Sequence, residues 1–136
     1  MLQTKFLCSL GLLLLLTPDL IAQTSPQGKY MVKFKDQTIR YWGTLEIKKF
    51  NTFEFRARSK EMNCKFSLGQ WISQEDTLTL NSFKENELPD QFQFQTLFCK
   101  WWPFEQKRLL IKKNKLIVLR KNQRGKWRKG KAYRRK

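Results

Sequence analysis

The chain has 136 residues, 28 Lys or Arg against 11 Asp or Glu, a net charge of +17 and no histidine. That length holds one ordinary domain after a leader is removed, and not two. Without histidine the commonest general base and metal ligand are missing, which excludes every catalytic triad that depends on an imidazole.

The amino terminus predicts a secretory signal peptide over residues 1–22. Lys5 supplies the positive charge before an apolar run over residues 6–16, too short to span a bilayer as a helix, which takes about 20 residues. Thr17, Pro18 and Asp19 then break the run, and Ala22 supplies the small residue next to a cut expected after it. Cys8 lies inside the apolar run and reads as part of it. Lys5 and Asp19 cancel, so the single domain expected over residues 23–136 keeps the whole net charge of +17. The expected location is outside the cytoplasm, periplasmic or secreted, with no transmembrane anchor in the mature chain.

From residue 29 onward apolar residues recur at every second position, the signature of half-buried strands. Tyr30, Val32 and Phe34 share one face of a first strand, with Lys29, Lys33 and Lys35 on the other. After a turn at Asp36-Gln37, a strand over residues 38–48 puts Tyr41, Gly43, Leu45 and Ile47 inward. A third, over residues 52–58, does the same with Phe53, Phe55 and Ala57. Cys64, Phe66 and Leu68 predict the inward face of the next strand, where Gly69 marks a bulge or tight bend beside Trp71. Leu78 and Leu80 face inward on residues 77–80. A polar loop over residues 81–90, holding Pro89, precedes a strand expected over residues 91–100 through Phe92, Phe94 and Phe98. Residues 108–112 and 115–120 form a hairpin about Lys113-Asn114. A last strand is expected over residues 126–134. Seven or eight strands joined mostly by short turns predict an all-β, antiparallel up-and-down meander closing as a small barrel or half-barrel, with an immunoglobulin-like sandwich as the alternative.

Gly28-Lys29-Tyr30, the Phe53-Glu54-Phe55 step, Gly69-Gln70-Trp71 and Asp76-Thr77-Leu78-Thr79-Leu80 resemble small exported bacterial lipocalin-like domains. The resemblance covers most of the mature chain and implies an up-and-down barrel with a capacity for ligand binding. It transfers no site residues.

No catalytic constellation, phosphate loop or cysteine-rich metal site emerges, so neither an enzyme nor a cofactor is expected. The mature chain keeps two cysteines, Cys64 and Cys99. In an oxidising compartment they either pair or stay separate thiols, and strand phase argues against pairing because it turns Cys64 inward and Cys99 outward. Trp101 and Trp102 are consecutive, so one is expected in the core and the other exposed or at a barrel mouth.

The most unusual segment is residues 106–136, with fifteen Lys or Arg and no Asp or Glu. Arg124, Lys126, Trp127, Arg128, Lys129, Arg134 and Arg135, with Tyr133 among them, have the composition of a polyanion-binding surface. For an exported protein the expected partner is an anionic lipid, polysaccharide or other polyanion of the cell envelope, whereas nucleic acid is disfavoured. Two alternatives stand beside this: a lipocalin-like carrier of a small apolar ligand, and a structural envelope protein whose charges serve solubility. The sequence leaves the oligomeric state open.

Overall fold

The computed structural model describes residues 25–136, so the leader over residues 1–22 and the cut after Ala22 lie outside the described residues. Alternation yields strands nearly where it predicts them: β1 (Gly28–Asp36), β2 (Ile39–Ile47), β3 (Thr52–Ser59), β4 (Cys64–Gln74) and β5 (Thr77–Ser82). After an insertion come the two-residue β6 (Lys100–Trp101), β7 (Lys107–Lys112), β8 (Lys115–Lys121) and β9 (Trp127–Arg135). Left-handed residues at Gln37 (φ 56°), Asn51 (φ 59°) and Glu75 (φ 57°) allow tight reversals between successive strands.

β1 to β5 pair antiparallel in sequence order, β7 pairs with β5, β8 with β7 and β9 with β8. β9 then returns to β1, closing an eight-stranded antiparallel barrel. One end carries the β1–β2, β3–β4 and β8–β9 turns and the insertion, and is called the upper end. The lower end carries the start of β1, the end of β9 and the β4–β5 and β7–β8 turns. Tyr30, Leu45, Phe53, Leu78, Leu80 and Leu116 fill the interior, together with Phe104, which stacks on Phe53 at 5.7 Å.

β4 departs from the expected phase. Its register sets Lys65, Ser67 and Gly69 opposite Ala57, Phe55 and Phe53, all of which face the interior. Lys65 and Ser67 are therefore the inward residues, and Phe66 and Leu68 point out of the barrel. They stay buried because the insertion covers them, through Leu88, Phe83, Phe92 and Trp101.

The strand expected over residues 91–100 is instead helical: a one-turn α1 (Asp90–Gln93) followed by a 3-10 turn (Phe94–Leu97). β4 already has β3 and β5 as neighbours, so no sheet edge remains for another long strand, and only β6 adds to it, in parallel, beside Lys65 and Phe66. Pro89 precedes the helix, and Asp90 in its first turn complements the helix dipole. Phe94 and Phe98 then fall four residues apart and pack ring to ring at 5.2 Å, both exposed.

The same inversion of β4 brings Cys64 to the outer side, beside Cys99 at the end of the insertion. The two form a disulfide across 4.8 Å between Cα atoms and 35 residues of chain. In the chain-entropy description, closing such a loop stabilises by about 3–4 kcal/mol. Reducing the folded protein should therefore lower its urea midpoint by a corresponding amount, and denaturing a chain that begins at Gln23, without reductant, should expose no free thiol. Among the described residues no helix is long and apolar enough to cross a membrane.

Candidate anion-binding surfaces

The basic segment divides between the two ends of the barrel. Arg124 and Lys126 sit in the β8–β9 turn at the upper end, where the Asn122 Oδ1 accepts both their backbone N–H groups at 2.9 Å. Gly125 completes this turn with φ +79°. Trp127 opens β9 opposite Lys121, on the outer side, and is 44% exposed. Its ring already meets cations of the protein, with Arg108 Cζ 4.7 Å and Lys121 Nζ 5.3 Å from the centroid. Arg128 lies across from Arg120, and Lys129 across from Leu119.

Arg134 and Arg135 lie at the lower end, about 20 Å further along the strand than Arg128 and Lys129. Arg134 stands opposite Lys115 on one side and Met31 on the other. Arg135 is engaged in closing the barrel floor: its Nη2 donates to the Tyr30 hydroxyl at 2.8 Å and to the carbonyls of Gln27 at 3.1 Å and Ser25 at 3.2 Å. Tyr133, placed by its sequence neighbours among the surface cations, is buried in the barrel core. The seven residues that sequence composition groups together thus form an upper cluster, a separate lower residue, Arg134, and a structural arginine.

Strand phase also carries cations into the upper barrel. Lys107 follows the inward phase of Leu109, opposite Leu80, and Arg120 follows that of Leu116 and Val118. A bulge gives β9 one extra residue between Ala132 and Lys129, opposite Ile117 to Leu119. With it Lys131 reaches the same space. The three side chains line a cavity of about 170 Å³ whose apolar wall includes Val32, Phe34, Phe55 and Val118. Beyond Met31↔Arg134, β1 and β9 have no ladder pairing, and Lys131 Nζ spans the gap to the Lys33 carbonyl at 3.4 Å.

Asp36 and Trp102 line this cavity too, but Asp36 is engaged by Lys65. Lys65 is 2% exposed, its ammonium 2.5 Å from Asp36 Oδ2 and 3.5 Å from the centroid of the Trp102 ring. Of the paired tryptophans, Trp102 is the one at the mouth, while Trp101 packs edge-on against Phe66 outside the barrel. Among the described residues Lys107, Arg120 and Lys131 take part in no ion pair.

Burial, and secondarily the charge of Arg120, lowers the Lys107 pKa to about 8. Burial raises the Tyr133 phenol to about 12. An unfolded chain keeps lysine near 10.4 and tyrosine near 10. Between about pH 8 and 10.4 the unfolded chain holds a proton that folded Lys107 has released, so stability rises with pH there. Above about pH 10 the unfolded chain loses a proton that folded Tyr133 keeps, so stability falls. Urea midpoints should peak near pH 10, on the order of 2 kcal/mol above their pH 7 value, and Lys107→Met should flatten the rise.

Sequence reasoning missed Lys107, Arg120 and Lys65 and grouped Lys131 with the surface cations, although phase was the signal that could have found them: Lys107 with Leu109, Arg120 with Val118, Lys131 with Tyr133, Lys65 with Trp71. Among the described residues no three His, Cys, Asp or Glu side chains come together as a metal site. A scan against protein-family models and searches of curated proteins and of solved structures found no match.

Proposed function

We propose that the protein is an exported, lipocalin-like, non-catalytic binding module whose upper basic face engages an anionic partner of the cell envelope, an acidic lipid or polysaccharide. The observation that carries this reading is the gathering of Arg124, Lys126, Arg128 and Lys129 in one turn and the strand it opens, with Arg108 and Lys121 beside them around Trp127. The segment supplying them holds no acidic residue to neutralise it. Export is supported by the charged start, short apolar run and Ala22 of the leader, and by a disulfide suited to an oxidising compartment. The carrier reading has less behind it, since side chains fill the lower barrel and the remaining cavity is small and cation-lined.

Titration with heparin at increasing salt tests the binding reading. With about five anionic groups contacted, the logarithm of affinity should fall against the logarithm of salt with a slope near −4. Replacing Arg124, Lys126, Arg128 and Lys129 with glutamine should flatten that slope without unfolding the barrel, because all four side chains are exposed. Unchanged binding in that variant would reduce the cluster to a solubilising surface. Amino-terminal sequencing of exported material should begin at Gln23, and retention of the apolar run would refute the leader.

A further inference from the structure

We propose that the upper cavity is a binding site for a small organic anion: a carboxylate carried on a compact apolar body. Its walls are of two kinds. Lys107, Arg120 and Lys131 converge on it from three adjacent strands without an acidic partner, and Val32, Phe34, Phe55 and Val118 supply the apolar surface. Like charges gathered in a space partly closed to water repel one another, and an anion seated among them removes that cost. Arg120 can receive a carboxylate through two parallel N–H donors, and the lysines act as point charges beside it.

Size narrows the occupant. About 170 Å³ is below the roughly 300–1,000 Å³ of sites for larger ligands. The interior beneath it is filled by Phe53, Leu78, Leu80, Phe104 and Leu109, so a long acyl chain has nowhere to extend. A compact aromatic or short branched acid suits the space, with its apolar part against Val32, Phe55 and Val118. The interrupted seam between β1 and β9, crossed by the Lys131 side chain, provides an approach from the side.

Lys107 adds a pH signature. Arg120 from β8, Lys131 and Tyr133 from β9 and Lys35 and Asp36 from β1 are the other ionisable groups lining the cavity. With its pKa lowered to about 8, Lys107 loses its charge on raising the pH from neutrality. Anion affinity should therefore weaken as the pH passes 8.

The test uses the oxidised mature protein and follows the methyl resonances of Val32 and Val118 during titration with benzoate, phenyl phosphate, inorganic phosphate and benzyl alcohol. Benzoate should give saturable shifts in the range of about 1 mM or tighter, and benzyl alcohol, its neutral counterpart, should not. Arg120→Gln and Lys131→Gln, both exposed at the rim, should each weaken benzoate at least tenfold with the melting temperature little changed. Lys107→Met should abolish the fall in affinity above pH 8. Phenyl phosphate binding more tightly than benzoate would overturn the choice of carboxylate, and inorganic phosphate matching benzoate would overturn the role of the apolar wall. Absence of saturable shifts, or equal binding of benzyl alcohol, would overturn the site. A variant with only Arg124, Lys126 and Lys129 changed to glutamine, sparing Arg128 because it lies across from Arg120, separates this proposal from the polyanion reading, because it should lose heparin affinity and retain benzoate.

Discussion

Gly69→Ala is expected to destabilise the barrel by about 3 kcal/mol, at the upper end of what an added methylene costs in a packed interior. A Cβ at Gly69 would lie 2.1 Å from the Asn81 carbonyl oxygen and 2.6 Å from both Phe53 Cε1 and Ser82 Cα. Two of those neighbours are backbone of β5 and cannot rotate away, so β4 and β5 would have to separate. Thermal melts should show a fall of about 10 °C or more. Gly125→Ala is the contrast: φ is +79° there but nothing lies within 4 Å, so the cost should be only about 1 kcal/mol. A Gly69→Ala protein melting with wild type would show that the strands do not approach this closely.

Gly69 also shows what kind of information the sequence carries. Its position inside an alternating run marks it as special, and the expected reason was a bulge or bend. The β3–β4 ladder instead runs through it without a register shift, the β4–β5 ladder begins at it, and the bulge lies in β9 opposite Ile117 to Leu119. A glycine signals that a side chain is intolerable, which close backbone approach and bending produce equally.

Most of the barrel wall was legible because it has one dry face and one wet face. Tyr30 and Val32, Leu45 and Ile47, Phe53 and Phe55, and Leu78 and Leu80 all face the interior as alternation predicts. β4 was misread where that contrast fails. Its outer residues Phe66 and Leu68 are buried under the insertion, and its inner ones include Lys65 and Ser67, so apolarity no longer tells inside from outside. The helical insertion was misread because Phe92, Phe94 and Phe98 satisfy a period of two, while Phe94 and Phe98 also fit one helical turn. Only the supply of free sheet edges decides between them, and that is a property of the assembled barrel.

The basic surface was legible as composition and not as geometry. Neighbours on a strand alternate between faces, and a nine-residue strand reaches from one end of this small barrel to the other. Arg128 and Arg135 therefore serve unrelated surroundings despite their similar sequence context. The cations of the cavity were hidden for the opposite reason: charged residues in inward phase read as outward ones unless the phase of Leu109 or Tyr133 is carried through them.

Lys65 and Asp36 give the other large effect, and its asymmetry is the informative part. Asp36→Ala would leave an ammonium that is 2% exposed with no anion, and should cost about 3 kcal/mol, the lower bound for breaking a buried pair because Asp36 itself is partly solvated. Lys65→Met removes the charge that needs a partner and keeps an unbranched side chain in the same space. It forfeits the pairing with Asp36, which is partly solvated, and the contacts with Trp102 and Tyr41, whose ring centroids lie 3.5 and 5.0 Å from the ammonium, and should cost about 1 kcal/mol. The double variant should therefore recover most of the loss caused by Asp36→Ala, and urea midpoints of the four proteins give the comparison directly. Equal losses from both single changes would mean that the pair contributes through its mutual attraction and not by relieving a buried charge. Lys65→Met has a second consequence, because Asp36 then keeps its charge without its partner in a cavity lined by Lys107, Arg120 and Lys131. An internal carboxylate released there competes with an external one, so benzoate should bind Lys65→Met more weakly than wild type, and Lys65→Met combined with Asp36→Ala should restore it.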